Sequence, residues 1–303
     1  MVSLGVTPRS RRFPHVRNVG YEGVRGVRCT QGEICRKLGF TRDTLRFYER
    51  RGIIQPEVDP SNGYRYYDDW QVNLLWECKA YQSLGFSLAE VTQILQDDGL
   101  PRTERRMQER IDQVERDIRI RQLELVQLRR HASEMRRAPT ELGSFELVDF
   151  EGRVFVPMRE DHDLVDEADP SAVAFINAYM ALALPLCLFP SLERDHYYWG
   201  FAMLPTVFDE LDEDRPEAGR EQGGFVRVKP ARALATWVDA GERWNFGLGL
   251  FDGLVAESRS RGLSPRGDLC GDLVARTHED DGYHRYVHAF LPLAQAQTPG
   301  EPA

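Results

Sequence analysis

An arginine-rich segment at residues 41–54 constrains the fold of this 303-residue chain more than any other feature. Thr41 is a residue type that caps helix N-termini, and Leu45 is the first apolar residue after it. Helical spacing then places Phe47 and Arg50 on the face opposite Leu45. The segment therefore predicts a short helix that buries one side and presents arginine on the other.

The sequence on either side of this helix predicts its neighbours. Thr30 and Glu33 have the spacing of a capping box, which starts a first helix, and Gly39 ends that helix. After the arginine-rich helix, Asn62-Gly63 predicts a tight hairpin. Two short helices followed by a hairpin are typical of a winged helix-turn-helix, whose second helix enters the major groove of DNA.

Strand alternation after the hairpin turn places Arg65 and Tyr67 on one face, and Tyr64 and Tyr66 on the other. We expect one of these faces to touch phosphate while the other packs. Whether Tyr66 and Tyr48 contact DNA or only fill the small core is left open by their residue type.

The charge is distributed unevenly along the chain. The net charge is −9, yet residues 1–92 carry 14 Lys and Arg against 10 Asp and Glu, whereas residues 139–303 carry 14 against 29. A mildly basic front and an acidic back indicate a DNA-contacting end joined to a different domain. No apolar run approaches the roughly 20 residues that cross a bilayer, so we expect a soluble, cytoplasmic protein without a membrane partner.

The five cysteines are scattered, and no Cys-x-x-Cys pair occurs, so neither a disulfide framework nor a zinc site is predicted. We expect each cysteine to be a small buried apolar residue, and we expect no cofactor. Residues 1–27 are rich in arginine, glycine and proline and lack apolar periodicity, which predicts a disordered or mis-annotated extension. One hypothesis is that translation starts at Val27.

Residues 102–137 predict one long amphipathic helix. Apolar residues recur there with a four-three spacing that is interrupted only at Arg121, and the other faces are charged. Such a seam is typical of a coiled coil and needs a second helix. The seam residues are Met107, Ile111, Val114, Ile118, Leu125, Leu128, Ala132 and Met135.

The C-terminal part, residues 143–295, has the pattern of an imperfect internal duplication, with residues 296–303 as a flexible tail. Two strand-helix-strand-strand (βαββ) halves predict an α+β domain. The first half has a strand region at 145–158, an apolar helix at 172–184 and an aromatic strand at 197–204. The second has a strand at 225–238, a helix near 246–261, and strands near 272–277 and 286–293.

Three phrases occur in order in the front part of the chain. They are Thr-Leu-Arg-Phe-Tyr-Glu-Arg-Arg-Gly at 44–52, Gly-Tyr-Arg-Tyr-Tyr at 63–67 and Leu-Gly-Phe-Ser-Leu-Ala-Glu at 84–90. In these phrases residues 28–98 resemble the DNA-binding domain of the MerR family of transcription regulators. The resemblance implies a homodimer joined by an antiparallel coiled coil on double-stranded promoter DNA with an overlong spacer. It also implies RNA polymerase as a partner and activation by DNA distortion when an effector binds.

The resemblance, carried over by position, also implies a set of DNA-binding residues. Arg46 is the expected base reader, since its planar fork suits guanine. Asp43 and Gln82 stand where many relatives have basic residues, which predicts fewer phosphate contacts and a weaker salt dependence. The implied set is Arg42, Asp43, Arg46, Phe47, Tyr48, Tyr64, Arg65 and Tyr67.

The back half carries Val-Lys-Pro-Ala-Arg-Ala at 228–233, Arg-Gly-Leu at 261–263 and Phe-Leu-Pro-Leu at 290–293. In these phrases it is similar to the GyrI-like effector-binding domain of multidrug-sensing regulators. That resemblance implies a pocket for a small lipophilic or aromatic, often cationic, effector. His288 stands where relatives often have Glu, and a structural role for it and for the two tryptophans remains an alternative. The implied effector-binding residues are Tyr197, Trp199, Trp237, Asp272, His288 and Phe290.

Three other functions are distinguishable from the sequence. A metal-sensing regulator is disfavoured, because Cys187 and Cys270 are distant and embedded in a long domain. A GyrI-like hydrolase would use Asp272 and His288 as acid and base, although no nucleophile-base pair is visible. A repressor without a small ligand would bind DNA and only block transcription. We predict a regulator that is not an enzyme and has no metal site.

Overall fold

The computed structural model describes residues 28–165, 169–212, 224–242 and 246–294. The predicted extension at 1–27 and the predicted tail at 296–303 lie outside the described residues. The chain divides within its long central helix into two compact units, Met1–Val114 and Glu115–Ala303. None of the helices in the described ranges is long and apolar enough to cross a membrane.

The first unit has the predicted winged helix-turn-helix architecture. Its short strands form one antiparallel sheet in which the third strand lies between the other two. The helices are α1 (Gln31–Leu38), α2 (Arg42–Arg50), α3 (Asp69–Ser83) and α4 (Leu88–Gln96), and the strands are β1 (Cys29–Thr30), β2 (Glu57–Val58) and β3 (Arg65–Tyr67).

Side-chain caps set the boundaries of α1 and α2 where the sequence predicts them. Thr30 and Glu33 form a reciprocal capping box at the start of α1, and Gly39 ends it in the left-handed region at φ +68°. Thr41 accepts a hydrogen bond from a backbone N–H in the first turn of α2. Each cap contributes about 1 kcal/mol to helix stability, so short-range chemistry fixes where these two helices begin.

The long helix α5 runs from Leu100 to Arg137, a length of about 57 Å at 1.5 Å per residue. Its predicted seam is half-exposed in the single chain, with Ile118 at 51% and Leu128 at 64% exposure. A second stripe packs on the C-terminal unit, where Leu123 joins an apolar cluster and Glu134 is buried. Residues of the second stripe lie about two positions after residues of the seam. Two positions correspond to a rotation of roughly 200° about the helix axis, so the two stripes occupy opposite faces of α5.

The second unit is built on a nine-stranded antiparallel sheet with the order β4-β10-β12-β11-β7-β8-β5-β6, in which β9 also pairs with β5. Three helices accompany it among the described residues: α6 (Pro170–Ala178), α7 (Pro205–Asp212) and α8 (Asp252–Ser260). The strands are β4 (Phe145–Phe150), β5 (Arg153–Glu160), β6 (Asp163–Leu164), β7 (Leu184–Phe189), β8 (Tyr198–Met203), β9 (Val226–Val228), β10 (Ala231–Asp239), β11 (Leu269–Glu279) and β12 (Gly282–Pro292).

The predicted duplication is confirmed by this topology. One half is β5-α6-β7-β8 and the other is β10-α8-β11-β12. In each half the first strand lies outermost and the second innermost, so β7 and β11 meet at the centre of the sheet. The two halves therefore have the same strand arrangement in mirrored order along one continuous sheet.

Two predicted boundaries in the first half are wrong. The helix predicted at 172–184 ends at Ala178, and its apolar continuation enters the buried strand β7, because an apolar run without periodicity fits a strand as well as a helix. The strand region predicted at 145–158 breaks at Gly152, where φ is +80° and a Cβ would lie 2.5 Å from the Val228 carbonyl oxygen. Consequently β4 pairs with β10, and β5 pairs with β8.

The sheet has two faces with different surroundings. On β12, Val287 and Ala289 point to the face that Leu254 of α8 covers, which we call the helix face. His288 and Phe290 point to the opposite face, which we call the far face. This alternation decides which of the predicted effector residues can share a site.

Candidate DNA interface and effector cavities

Helix α2 presents an exposed arginine face, as predicted. Leu45 is fully buried and anchors the helix, while Arg42, Arg46 and Arg50 are exposed together with Asp43. Within the part of the chain that the structure describes, none of the three arginines forms an ion pair. Their guanidinium groups are therefore available to an anionic partner such as a DNA backbone or a guanine edge.

The aromatic residues of α2 support the helix more than they extend its surface. Phe47 is half-buried, and the Arg51 guanidinium lies 5.5 Å from its ring centroid. Tyr48 is fully buried, with edge-on contacts to Phe40 at 6.4 Å and Phe47 at 5.8 Å. Burial raises the pKa of Tyr48 above its usual range. Of the two roles that the sequence leaves open for Tyr48, the structure shows core packing.

The hairpin residues divide differently from the prediction. Tyr67 is fully buried, and its hydroxyl donates a 2.6 Å hydrogen bond to Glu49, whose other carboxylate oxygen lies 3.4 Å from Arg65 Nε. A direct phosphate contact by Tyr67 is therefore wrong for this structure, because its side chain packs on α2, whereas Arg65 remains exposed. Tyr64 is 61% exposed at the hairpin tip and remains available. The sequence left open which face packs, and the structure buries Tyr67.

Two further arginines near α2 and the hairpin are missing from the predicted set. Arg50 is exposed on the same side of α2 as Arg46. Arg28 stacks 4.1 Å from the ring centroid of Tyr66 and forms an ion pair with Glu57 at 3.0 Å. Helical spacing alone signals Arg50, whereas Arg28 lies outside any helix and the sequence offers no comparable signal.

The six predicted effector residues do not form one site. Strand alternation and the packing clusters place four on the far face and two on the helix face. The far-face residues are Trp237, Asp272, His288 and Phe290, and the helix-face residues are Tyr197 and Trp199.

On the far face, Asp272 is neutralised by a buried ion pair. Arg153 Nε donates to Asp272 at 3.2 Å, and its Nη2 donates to the second carboxylate oxygen. Burial opposes the charge of Arg153, but the adjacent Asp272 carboxylate outweighs this effect and raises the pKa of Arg153. The predicted carboxylate for a cationic effector is thus already occupied by an internal cation.

His288 lies beside this pair in an aromatic stack. Its ring is 4.1 Å from Trp237 at an interplanar angle of 6°, and 4.3 Å from Phe290. Neither ring nitrogen has a hydrogen-bond partner among the described residues. Burial lowers the pKa of His288 to about 4, so the ring is neutral at neutral pH. Asp272 and His288 are register partners, yet Asp272 bonds to Arg153, so they do not form the acid-base pair of the hydrolase alternative.

A far-face cavity of about 350 Å³ opens beside His288 and Phe290. Its charged groups largely pair with one another, since Arg130 lies 3.3 Å from Glu134, and Arg137 lies 2.7 Å from Glu146. Burial raises the pKa of Glu134. The cavity is small, and most of its polar groups are already satisfied by their neighbours.

A larger cavity of about 910 Å³ lies on the helix face. Trp199 and Phe246 have ring centroids 4.7 Å apart, and Tyr197 lies 5.4 Å from Phe246. The basic residues of its lining are Arg159, His162, Arg276 and Arg285. This cavity combines an aromatic wall with guanidinium groups.

One cluster has the residue types of a metal site. Glu279, Asp281 and His284 have ligand atoms within 4.8 Å of one another. His284 shares its ring nitrogens with the carboxylates of Asp239 at 2.6 Å and Asp281 at 3.0 Å, and these hydrogen bonds raise the pKa of His284 to about 9. All five cysteines are free; Cys78, Cys187 and Cys270 are buried as predicted, whereas Cys29 and Cys35 are only partly buried.

Comparison with known proteins gives a family match at the front of the chain. The profile of the MerR HTH family regulatory proteins matches residues 29–98. The mercuric resistance operon regulatory protein of Bacillus cereus is 39% identical over 64 residues, which cover 21% of this chain and 48% of that protein. The HTH-type transcriptional regulator CueR of Salmonella typhi is 30% identical over 91 residues, which cover 28% of this chain and 66% of that protein. The chain thus spans about half to two thirds of the length of these curated relatives.

Solved structures align with more of the chain, but only weakly. The EcmrR–DNA complex studied by cryo-electron microscopy covers 88% of this chain and 100% of its own, at 14% identity and a TM-score of 0.34. A hydrolase from Listeria innocua covers 54% of this chain and 97% of its own, at 10% identity and a TM-score of 0.34. Similarity at this level carries no argument about function.

Proposed function

We propose that the chain is a DNA-binding transcription regulator, because residues 29–98 match the MerR HTH family regulatory proteins. The observation that carries the proposal is the exposed face of α2, where Arg42, Arg46 and Arg50 have no carboxylate partner among the described residues. The names of the relatives describe transcriptional regulators, which agrees with this assignment.

In this proposal α2 enters the major groove. Arg46 reads a base edge, most favourably guanine, while Arg42 and Arg50 lie near the phosphate backbone. Arg65 and the exposed Tyr64 of the hairpin contact the flanking phosphate and sugar. The Tyr67–Glu49 hydrogen bond holds the hairpin against α2, so the two contact regions move as one body.

The protein acts as a homodimer in this proposal. The half-exposed apolar seam of α5, which includes Ile118, Leu125 and Leu128, supports an antiparallel pairing of two such helices. We expect Leu125→Glu combined with Leu128→Glu to convert a dimer into a monomer in analytical ultracentrifugation. A matched exchange of exposed charges, Arg129→Glu, should leave the dimer intact. A wild-type protein that sediments as a monomer would contradict this step.

The regulatory step is activation at a promoter with an overlong spacer. In this scheme a small lipophilic or aromatic effector binds the C-terminal unit in the cytoplasm, and the dimer then distorts the promoter so that RNA polymerase engages both elements. The helix-face cavity supports a sensing role, because Tyr197, Trp199 and Phe246 provide a wall of aromatic rings. Repression without a ligand is the competing outcome, and in vitro transcription with and without effector separates the two.

The DNA-binding proposal can be tested without knowing the operator. Wild-type protein would select its site from a random duplex pool, and fluorescence anisotropy would then measure the affinity of variants for that site. Arg46→Ala should lose about 1 to 3 kcal/mol of binding free energy, or roughly 5-fold to 150-fold in affinity. Its affinity for unselected DNA should fall much less.

The matched control is Arg232→Ala, which removes an exposed arginine of the C-terminal unit that pairs with Asp149 at 2.8 Å. This variant should bind the selected site like the wild type. Equal affinity of Arg46→Ala and wild-type protein for the selected site would reject α2 as the reading element.

A further inference from the structure

The helix-face cavity differs in charge from the unit that contains it. Residues 139–303 carry 29 acidic against 14 basic side chains. Among the described residues, however, the charged side chains that line this cavity are arginines only, and no Asp or Glu is part of the lining. A basic cavity in an acidic domain is not the consequence of overall composition.

Among the described residues, the arginines of this cavity have no carboxylate partner, in contrast to many other arginines of the unit. Arg285 donates to the carbonyl oxygens of Ala240, Gly241 and Glu242, and Arg159 donates to the carbonyl oxygen of Asp161. A carbonyl oxygen orients a guanidinium without neutralising its charge. Eight arginines elsewhere in the unit do form ion pairs among the described residues: Arg121, Arg130, Arg137, Arg153, Arg227, Arg232, Arg261 and Arg266.

Two of the cavity arginines stand directly opposite each other. Arg276 on β11 and Arg285 on β12 are register partners, and like charges at such positions destabilise a sheet. Burial and the neighbouring Arg276 lower the pKa of Arg285, which shows that the two charges oppose each other. An anion between them would relieve this repulsion, whereas a cation would increase it.

The aromatic residues lie next to these charges. The Arg285 guanidinium is 5.8 Å from the ring centroid of Phe246, and Phe246 is in turn 4.7 Å from Trp199. Arg159 is the register partner of Trp199 on the adjacent strand. A flat ligand that contacts the aromatic wall therefore has guanidinium groups at its edge. The volume of about 910 Å³ lies within the range of small-molecule pockets.

We propose that the helix-face cavity binds a planar aromatic anion, with the ring system against Trp199 and Phe246 and the anionic group at Arg276 and Arg285. The chemical class is an aromatic carboxylate or an aromatic acid of similar size. This class differs from the cationic compounds that the GyrI-like resemblance implies. The role of the ligand as an effector rests on the proposed regulatory function, but its binding does not.

The experiment uses three probes that share one ring system and differ in charge. They are 2-naphthoate, 2-naphthamide and 2-naphthylmethylammonium, titrated into the full-length protein by isothermal titration calorimetry. The naphthoate should bind about tenfold more tightly than the amide, a difference of about 1.4 kcal/mol, and the ammonium probe should bind most weakly. Arg276→Gln should lower the naphthoate affinity about fivefold to tenfold and leave the amide within twofold.

Arg261→Gln is the matched control, because it removes the arginine that directly follows α8 and pairs with Glu257 outside the cavity. It should leave all three affinities unchanged. Equal binding of the three probes, preference for the ammonium probe, absence of naphthoate binding at millimolar concentration, or equal losses in Arg276→Gln and Arg261→Gln would each overturn the proposal. Arg46→Ala should retain naphthoate binding, so a failure of DNA binding is distinguishable from a failure here.

Discussion

Helix α2 and the far face of the C-terminal sheet both depend on arginine, but in opposite ways. On α2, Arg42 and Arg46 are exposed and have no carboxylate partner among the described residues. On the far face, Arg153 is buried, bonds to Asp272 and lies 5.0 Å from the ring centroid of Phe150. The α2 arginines therefore keep a charge that can interact with a ligand, whereas the charge of Arg153 is neutralised by Asp272 within the fold.

The contrast gives a physical criterion for separating binding arginines from structural ones. A buried pair contributes little net stability, because desolvation offsets the attraction, but losing one partner leaves a costly buried charge. An exposed arginine without a carboxylate contributes almost nothing to folding and is available for a ligand. Arg276 and Arg285 of the helix-face cavity have no carboxylate partner among the described residues. By this criterion they are binding arginines like those of α2, and not structural arginines like Arg153.

The largest predicted effect comes from breaking the buried pair. Arg153→Met should lower the free energy of unfolding by about 3 to 5 kcal/mol, because Asp272 would remain buried without a cation. Equilibrium urea unfolding followed by circular dichroism would measure it.

The double variant Arg153→Met with Asp272→Leu is the control for that measurement. It should recover most of the lost stability, since no unpaired charge remains. If Arg153→Met were as stable as the wild type, the Arg153–Asp272 pair would not be needed for the stability of the fold.

The second prediction concerns pH and His288. Its pKa is about 4 in the folded chain and about 6.5 when unfolded, so between these values the unfolded state binds one more proton. Stability should therefore fall as the pH drops through this window, and the loss should reach about 2 kcal/mol between pH 7 and pH 5.

His288→Phe provides the matched comparison, because it keeps a ring against Trp237 but has no proton to bind. Urea unfolding of both proteins at pH 7 and pH 5 would isolate the histidine contribution. Identical pH dependence in the two proteins would contradict a neutral, buried His288.

The third prediction tests how the hairpin is held on α2. Tyr67→Phe removes only the hydroxyl that donates to Glu49, so the unfolding free energy should fall by about 1 to 2 kcal/mol. Tyr64→Phe, at the exposed hairpin tip, is the control and should change stability little. Equal stability of the two variants would show that the Glu49 bond does not anchor the hairpin.

Sequence patterns predicted the helix-turn-helix well because its signals are short-range. Thr30, Thr41 and Gly39 each act on their own turn of backbone, and Asn62-Gly63 defines its own hairpin. The burial of Tyr67 was not predicted, because its hydrogen-bond partner Glu49 lies 18 residues away in sequence. Periodicity specifies which residues share a face and not what covers that face.

The residues that share a site in the C-terminal unit could not be predicted from sequence patterns, because they are brought together by long-range strand pairing. The duplication was predictable from the order of strands and helices, whereas the partner of Asp272 was not, because Arg153 is 119 residues away. The division of the six candidates between two faces follows from register, which a single apolar or aromatic residue does not reveal. The second stripe of α5 escaped prediction because it includes polar residues such as Gln127 and Glu134.

The smallest predicted effect completes the comparison. Arg42→Ala and Arg46→Ala should each change the free energy of unfolding by less than about 0.5 kcal/mol, because each removes an exposed charge without a carboxylate partner. Arg106→Ala is the matched contrast in the same unit, since Arg106 pairs at 2.6 Å with the buried carboxylate of Asp98 and should be clearly destabilising. If Arg46→Ala were destabilised, Arg46 would be a structural arginine. A loss of DNA affinity in this variant would then report unfolding and not the loss of a base contact.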